Sequence, residues 1–151
     1  MNWDHPKPFT RALVPAPDDI DGLNHTNNAV YVQWCERTAW AHSEMLGLSL
    51  ADYRRLDRAM AIRHADYDYL LPTQLSETLT LATWLTASDG KLTMERRFQL
   101  VRDRDQATVL RGPGAMPLAV ALTEGLGRTC VGDWLQRQSD DLIRALSSPL
   151  G

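Results

Sequence analysis

The sequence predicts an α+β fold: one long helix packed on an antiparallel sheet of about five strands. Three observations carry this. Apolar residues recur at helical spacing from residue 28 to 46, and beyond residue 60 the repeat shortens to two. Asp89-Gly90 then separates two alternating segments, the sequence of a tight hairpin turn. Strand, long helix and hairpin-linked strands follow one another in that order, the layout of a helix laid on one face of an antiparallel sheet.

The elements follow in chain order. A length of 151 residues suits a single domain over 1–151. Residues 1–8, punctuated by Pro6 and Pro8, are expected as a flexible tail. "FTRALVPAP" makes a short strand closed by Pro15 and Pro17. In the helix, Val30, Trp34, Thr38, Ala41 and Met45 share the inward face, flanked by Tyr31 and Cys35. Gln33, Glu36, Arg37 and Glu44 lie opposite, and Trp40, in the middle of that polar face, is expected to meet a partner. Asn27 or Asn28 caps the start, and Gly47 suits the left-handed residue that ends a helix. "SLADYRRLDR" reads as a short amphipathic helix capped by Ser49.

"MAIRHADYDYLL" is a less regular strand ending before Pro72. In the next, Leu75, Leu79, Leu81 and Leu85 alternate with Thr78, Thr80, Ala82 and Thr86. "KLTMERRFQLVRD" puts Leu92, Met94, Phe98 and Leu100 on one face, with Arg96 set among them. "ATVLRGPGAMPLAVALTE" is a last strand that its prolines and glycines interrupt with a bulge or an edge. Residues 133–147 close the chain as a helix.

Composition narrows the function. Sixteen Lys and Arg against 19 Asp and Glu give a net charge of -3, which disfavours broad capture of nucleic acid. Cys35 and Cys130 have no metal spacing and read as reduced thiols. His5, His25, His42 and His64 form no zinc motif, so neither a metal nor another cofactor is expected. The start of the chain has no apolar leader core, and no apolar run approaches the roughly 18 residues of a membrane span. A soluble, cytoplasmic protein is the expectation.

The stretch with the most chemistry is "DIDGLNHTNNAV". A helix start offers free N–H groups and partial positive charge, which suit a developing oxyanion. Asp21 precedes that start by a few residues and can stand beside a carbonyl whose oxygen points at the amides of Asn28 and Ala29. Asn24 and His25 are near enough to orient either group. The same residues also serve turns and caps, so a purely structural loop is the competing reading.

Asp21-x-x-x-His25-x-Asn27-Asn28-x-x-Tyr31, with Glu36 five residues later, resembles the signature of hotdog-fold acyl-CoA thioesterases. The similarity is greatest to the 4-hydroxybenzoyl-CoA thioesterase-like branch, which includes long-chain acyl-CoA enzymes carrying "HVNN" where this chain has "HTNN". "DYDYLLP" resembles that family's second strand, and the element order matches over about residues 9–125. Two features depart from the pattern: Ser76-Glu77 stands where the family often has Gly-Asp, and the last strand is less plain.

The resemblance implies a hotdog fold, a helix wrapped by a curved sheet, and protomers paired edge to edge as a homodimer or a dimer of dimers with the site at their interface. It also implies hydrolysis of fatty or aromatic acyl-CoA, with Asp21 as general base or nucleophile, His25 supporting it, and the Asn28 and Ala29 amides as oxyanion hole. Tyr31, Trp34 and Glu36 are the candidates for substrate contact, with core packing the competing role of Trp34 and a solvated helix face that of Glu36. Arg96, Arg97, Arg102, Arg104 and Arg128 are the candidates for coenzyme A phosphates. A hotdog hydratase or dehydratase of enoyl thioesters, and a non-catalytic acyl-CoA binding module, are the alternatives.

Overall fold

The computed structural model describes residues 1–47, 49, 51, 58–62, 65–88, 94–112 and 118–122. The strands are β1 (Phe9–Leu13), β2 (Arg58–Ile62), β3 (Asp68–Tyr69), β4 (Leu79–Ser88), β5 (Met94–Arg102), β6 (Ala107–Gly112) and β7 (Leu118–Leu122), and the helix is α1 (Asn28–Met45). Five strands form an antiparallel sheet in the order β1-β4-β5-β6-β3, while β2 pairs with β7. The expected strand before Pro72 is thus two pieces, β2 and β3. The expected interrupted last strand is also two, β6 and β7, and the register of β6 against β5 shifts between Leu100 and Val101. The hairpin turn at Asp89-Gly90, most of the short helix after Ser49, the helix over 133–147 and Arg128 lie outside the described residues.

The core lies between α1 and one face of the sheet. Val30, Tyr31, Trp34 and Cys35 pack there with Leu79, Leu81, Phe98, Leu100, Val109 and Leu110. Strand alternation aligns these sets, because Leu81 pairs with Leu100 and Leu100 with Leu110. Gly47, at φ 91°, ends the helix region with its N–H on the Glu44 carbonyl at 3.0 Å.

The buried stripe of α1 departs from expectation at its end. It runs Val30, Trp34, Thr38, His42, while Met45 is 61% exposed. Continuing the i+4 row, it brings His42 over Arg96, which points inward from β5 beside Leu85. Arg96 Nη1 donates to His42 Nδ1 at 2.8 Å and to Thr83 Oγ1 at 3.1 Å, and the ring stacks on Phe9 with centroids 4.9 Å apart. A guanidinium cannot accept, so Nδ1 is the acceptor and the imidazole is neutral. Burial and the Arg96 charge push the His42 pKa down to about 3.

Residues 1–8, expected as a flexible tail, are instead tied to the other face of the sheet. Gln99 Oε1 accepts the Asp4 N–H at 2.8 Å, and Trp84 Nε1 donates to the Pro6 carbonyl at 3.1 Å. Arg111 donates twice to the Asp4 carboxylate, at 2.7 and 2.9 Å, and holds its pKa below the usual range. The two faces of the sheet therefore have different covers: the helix on one, the first residues of the chain on the other.

Candidate active site

The loop before α1 is folded on itself. Pro17–Asp19 form a single 3-10 turn, in which Asp19 Oδ2 accepts the Ala16 N–H at 2.9 Å. Ile20 and Thr26 pair as an isolated antiparallel bridge, and the Asp21 N–H donates to the His25 carbonyl at 2.9 Å. Between them Asn24 takes φ 63°, a left-handed conformation that asparagine tolerates better than most residues. Asp21 Oδ1 accepts the N–H groups of Leu23 at 2.8 Å and His25 at 3.3 Å. Its other oxygen, Oδ2, has no hydrogen-bond partner among the described residues. The fold of the loop fixes one carboxylate oxygen and leaves the other open.

The start of α1 can be accounted for amide by amide. Asn27 is the cap: its own N–H donates to the Asp19 carbonyl at 2.8 Å, and its carbonyl accepts from Val30 at 2.9 Å. Its side-chain Oδ1 accepts the Ala29 N–H at 3.0 Å. Of the two amides expected to face an oxyanion, that of Ala29 is therefore committed to the cap. The Asn28 N–H, at the first helical position, has no acceptor among the described residues.

The residues that carry these two groups line one cavity of about 210 Å³. Asp21, His25, Thr26, Asn28 and Tyr31 line one side of it, and Tyr69, Leu70, Leu71 and Pro72 the other. Beneath it lies a hydrogen-bonded cluster. Tyr31 Oη is 2.8 Å from Thr73 Oγ1 and accepts the Thr73 N–H at 3.1 Å. Thr26 Oγ1 is 2.7 Å from Thr73 Oγ1, and the Thr26 N–H donates to the Thr73 carbonyl at 2.9 Å. Tyr31 also meets the Tyr69 ring at 5.8 Å between centroids, and burial raises the Tyr69 pKa.

An acidic loop and a capped helix start are what the motif led one to expect, the wall from Tyr69 to Pro72 is added by the structure, and comparison with known proteins bears on what they belong to. A family model described as the thioesterase-like superfamily matches residues 15–116. The chain belongs to that superfamily. Solved structures agree on the fold. A Staphylococcus aureus protein solved in complex with CoA superposes with TM-score 0.73 at 14% identity, over 100% of this chain and 92% of that one. A 1,4-dihydroxy-2-naphthoyl-CoA thioesterase from Synechocystis gives 0.74 at 18% identity, over 91% and 98%. A DHNA-CoA thioesterase from Staphylococcus aureus gives 0.76 at 14%, over 92% of each chain. No curated relative matches the chain in sequence. The helix on a five-stranded antiparallel sheet is the hotdog fold of this superfamily.

The sequence-predicted residues separate into two groups on this scaffold. Asp21, His25, Asn28 and Tyr31 come together at the cavity. Trp34 is buried in the core, edge-on to Tyr31 at 5.4 Å, and Glu36 is exposed on α1; neither lines the cavity. Arg96 corrects the expectation of a phosphate ligand. It is 2% exposed beneath the helix, bound to His42 and Thr83, so no surface ligand reaches it. Arg97 pairs with Glu95 at 2.8 Å on the sheet's other face. Arg102 grips Asp105 at 2.7 Å, driving that carboxyl down to about 2, and Arg104, 67% exposed, reaches Glu77 at 3.2 Å. Both belong to the end of the sheet next to Pro72, whose carbonyl accepts from Arg102 at 3.4 Å.

Thr26, Thr73 and Leu70 to Pro72 were not singled out as site residues by sequence. "DYDYLLP" marked the strand end that carries part of that wall, but an isolated threonine carries no periodic signal.

Proposed function

We propose that this chain hydrolyses acyl-CoA thioesters, fatty or aromatic, in the cavity between the Asp21–His25 loop and Leu70–Pro72. One observation carries the reading: Asp21, with one carboxylate oxygen unpartnered among the described residues, and Asn28, with its helix-start amide likewise unpartnered, line the same small cavity. The thioester carbonyl oxygen would accept from the Asn28 N–H, where the helix dipole favours negative charge. Asp21 Oδ2 would take a proton from water as that water attacks the carbonyl carbon, or would itself attack to give an anhydride that water then opens. Either route breaks the C–S bond and releases a carboxylic acid and the coenzyme A thiol. His25, whose N–H holds Asp21 Oδ1, keeps Oδ2 turned to the substrate.

Membership of the thioesterase-like superfamily supports the reaction class, and the CoA-bound and CoA-thioester structural relatives support the donor. Tyr31, Tyr69, Leu70 and Leu71 offer the acyl group an aromatic and aliphatic wall. Tyr69, Leu70 and Leu71 are 45%, 47% and 41% exposed beside the sheet's edge strand β3. A second copy of the chain, covering that face, would close the cavity as a homodimer. We take the compartment to be the cytoplasm, in keeping with the free buried thiol of Cys35.

The test is a panel of short, long and aromatic acyl-CoAs assayed by release of free thiol, with Asp21→Asn in parallel. The expected loss on Asp21→Asn is roughly 10²–10⁴-fold in kcat, the usual contribution of a positioned acid or base. Undiminished hydrolysis by that variant would remove Asp21 from the mechanism. Hydration of a 2-enoyl-CoA with the thioester left intact would replace hydrolysis by the hydratase reading. A mass in solution of one chain only would refute the dimer.

A further inference from the structure

We infer that Thr73 is a positioning residue, the pin that holds the two walls of the cavity together; this rests on the hydrolytic reading above. Thr73 is fully buried behind the cavity lining, and each of its polar atoms bonds to Tyr31 or Thr26. Its N–H donates to Tyr31 Oη, its carbonyl accepts from the Thr26 N–H, and its hydroxyl lies 2.8 Å from Tyr31 Oη and 2.7 Å from Thr26 Oγ1. Tyr31 is one turn into α1, three residues past Asn28. Thr26 closes the loop that carries Asp21, through its bridge to Ile20. Thr73 follows directly on Leu70–Pro72, the facing wall. One residue therefore sets the separation of the open carboxylate oxygen, the open amide and the acyl wall.

The protons can be assigned without leaving any group unmet. Thr26 Oγ1 is 3.2 Å from the Thr73 carbonyl and can donate to it. Thr73 Oγ1 then donates to Thr26 Oγ1, and Tyr31 Oη donates to Thr73 Oγ1 while accepting the Thr73 N–H. Each of the three hydroxyls donates once, so the cluster is closed and fully satisfied. Fully satisfied buried networks of this kind rigidify their surroundings and specify one geometry. Misplacement by about 1 Å of groups that must meet a reacting carbonyl can cost on the order of 10²-fold in rate.

Three variants test it: Thr73→Val keeps shape without the hydroxyl, Tyr31→Phe removes the other end, and Thr73→Ser restores the hydroxyl alone. On the acyl-CoA that the unmodified chain hydrolyses fastest, we expect kcat to fall roughly 10–100-fold in Thr73→Val and Tyr31→Phe, with KM changed less than threefold. Thr73→Ser should return to within about threefold. The backbone amide shifts of residues 21–29 should move in Thr73→Val and return in Thr73→Ser. A kcat within twofold of unmodified in both Thr73→Val and Tyr31→Phe would overturn the inference, as would a Ser variant no better than Val. If the unmodified chain hydrolyses no thioester, the proposed function fails by itself. The amide shifts then decide the pin: shifts unmoved by Thr73→Val overturn it, and shifts moved and rescued by serine uphold it.

Discussion

Replacing His42 with glutamine should flatten the acid side of the stability profile. In the folded chain His42 is 2% exposed and accepts from Arg96, and its pKa is pushed from the ordinary 6.5 down to about 3. Below pH 6.5 the unfolded chain takes up a proton on this ring, while the folded chain takes none until the pH nears 3. Proton uptake therefore favours the unfolded state through that window, and stability rises with pH between about 3 and 6.5 and is unaffected above it. At pH 5 the unfolded ring lies 1.5 pH units below its midpoint, worth about 2 kcal/mol at ~1.36 kcal/mol per unit. Glutamine can still accept from Arg96 through Oε1 but does not titrate. Urea unfolding of both proteins at pH 7.5 and 5.0, at one protein concentration, measures the difference. With a urea slope of about 2 kcal/mol per molar, the unmodified midpoint should drop on acidification by roughly 1 M more than that of His42→Gln. Equal drops in the two proteins would refute a buried neutral His42.

Three further outcomes follow from the described geometry. Asn28→Pro removes the open amide at the first helical position, where proline is tolerated, and Asn27 already has the extended φ -60° and ψ 135° that a following proline requires. It should fold, with kcat down by the ~2.7–4 kcal/mol typical of one oxyanion donor, about 10²–10³-fold; unchanged turnover would show that this amide holds no oxyanion. Thr38 is fully buried and its Oγ1 has no partner among the described residues, so Thr38→Val should raise stability by about 1 kcal/mol in urea unfolding and leave turnover alone. Arg96→Met should lower stability by roughly 1–3 kcal/mol, because His42 Nδ1 and Thr83 Oγ1 lose their donor. Its KM for acyl-CoA should stay within twofold, and a large rise in KM would return Arg96 to the substrate.

What the sequence disclosed and what it hid follow from the range of the interactions involved. Helical and two-residue periods are local, so α1, β4 and β5 could be read with most of their inward residues, the His42 end of the helix excepted, and Asn27 and Gly47 could be recognised as the ends of the helix. Asp21, His25, Asn28 and Tyr31 could be grouped as a candidate site because they lie on one continuous stretch, and they line one cavity. Arg96 was visible on the apolar face of its strand but was assigned to phosphate. Its true partner, His42, lies 54 residues away on another element, and neither residue signals the other. The same holds for Thr73, whose partners Tyr31 and Thr26 are 42 and 47 residues distant. The prolines at 6 and 8 suggested a loose tail because local reading could not see the sheet surface that binds it.

That tail also sets an order of events during synthesis. Asp4 meets Gln99 and Arg111 across 95 and 107 residues, and β1 finds its partner only in β4. At about 5–20 residues per second, the first dozen residues wait roughly 5–20 s after their own translation before Arg111 is made. Within that wait His42 follows Phe9 after 33 residues and Trp84 follows Trp3 after 81, so the two rings wait unequal times for the partners they finally meet. Residues 1–13 can therefore be seated on the sheet only after the helix and β4 exist, and the Asp4 contacts wait longer, for β5 and β6.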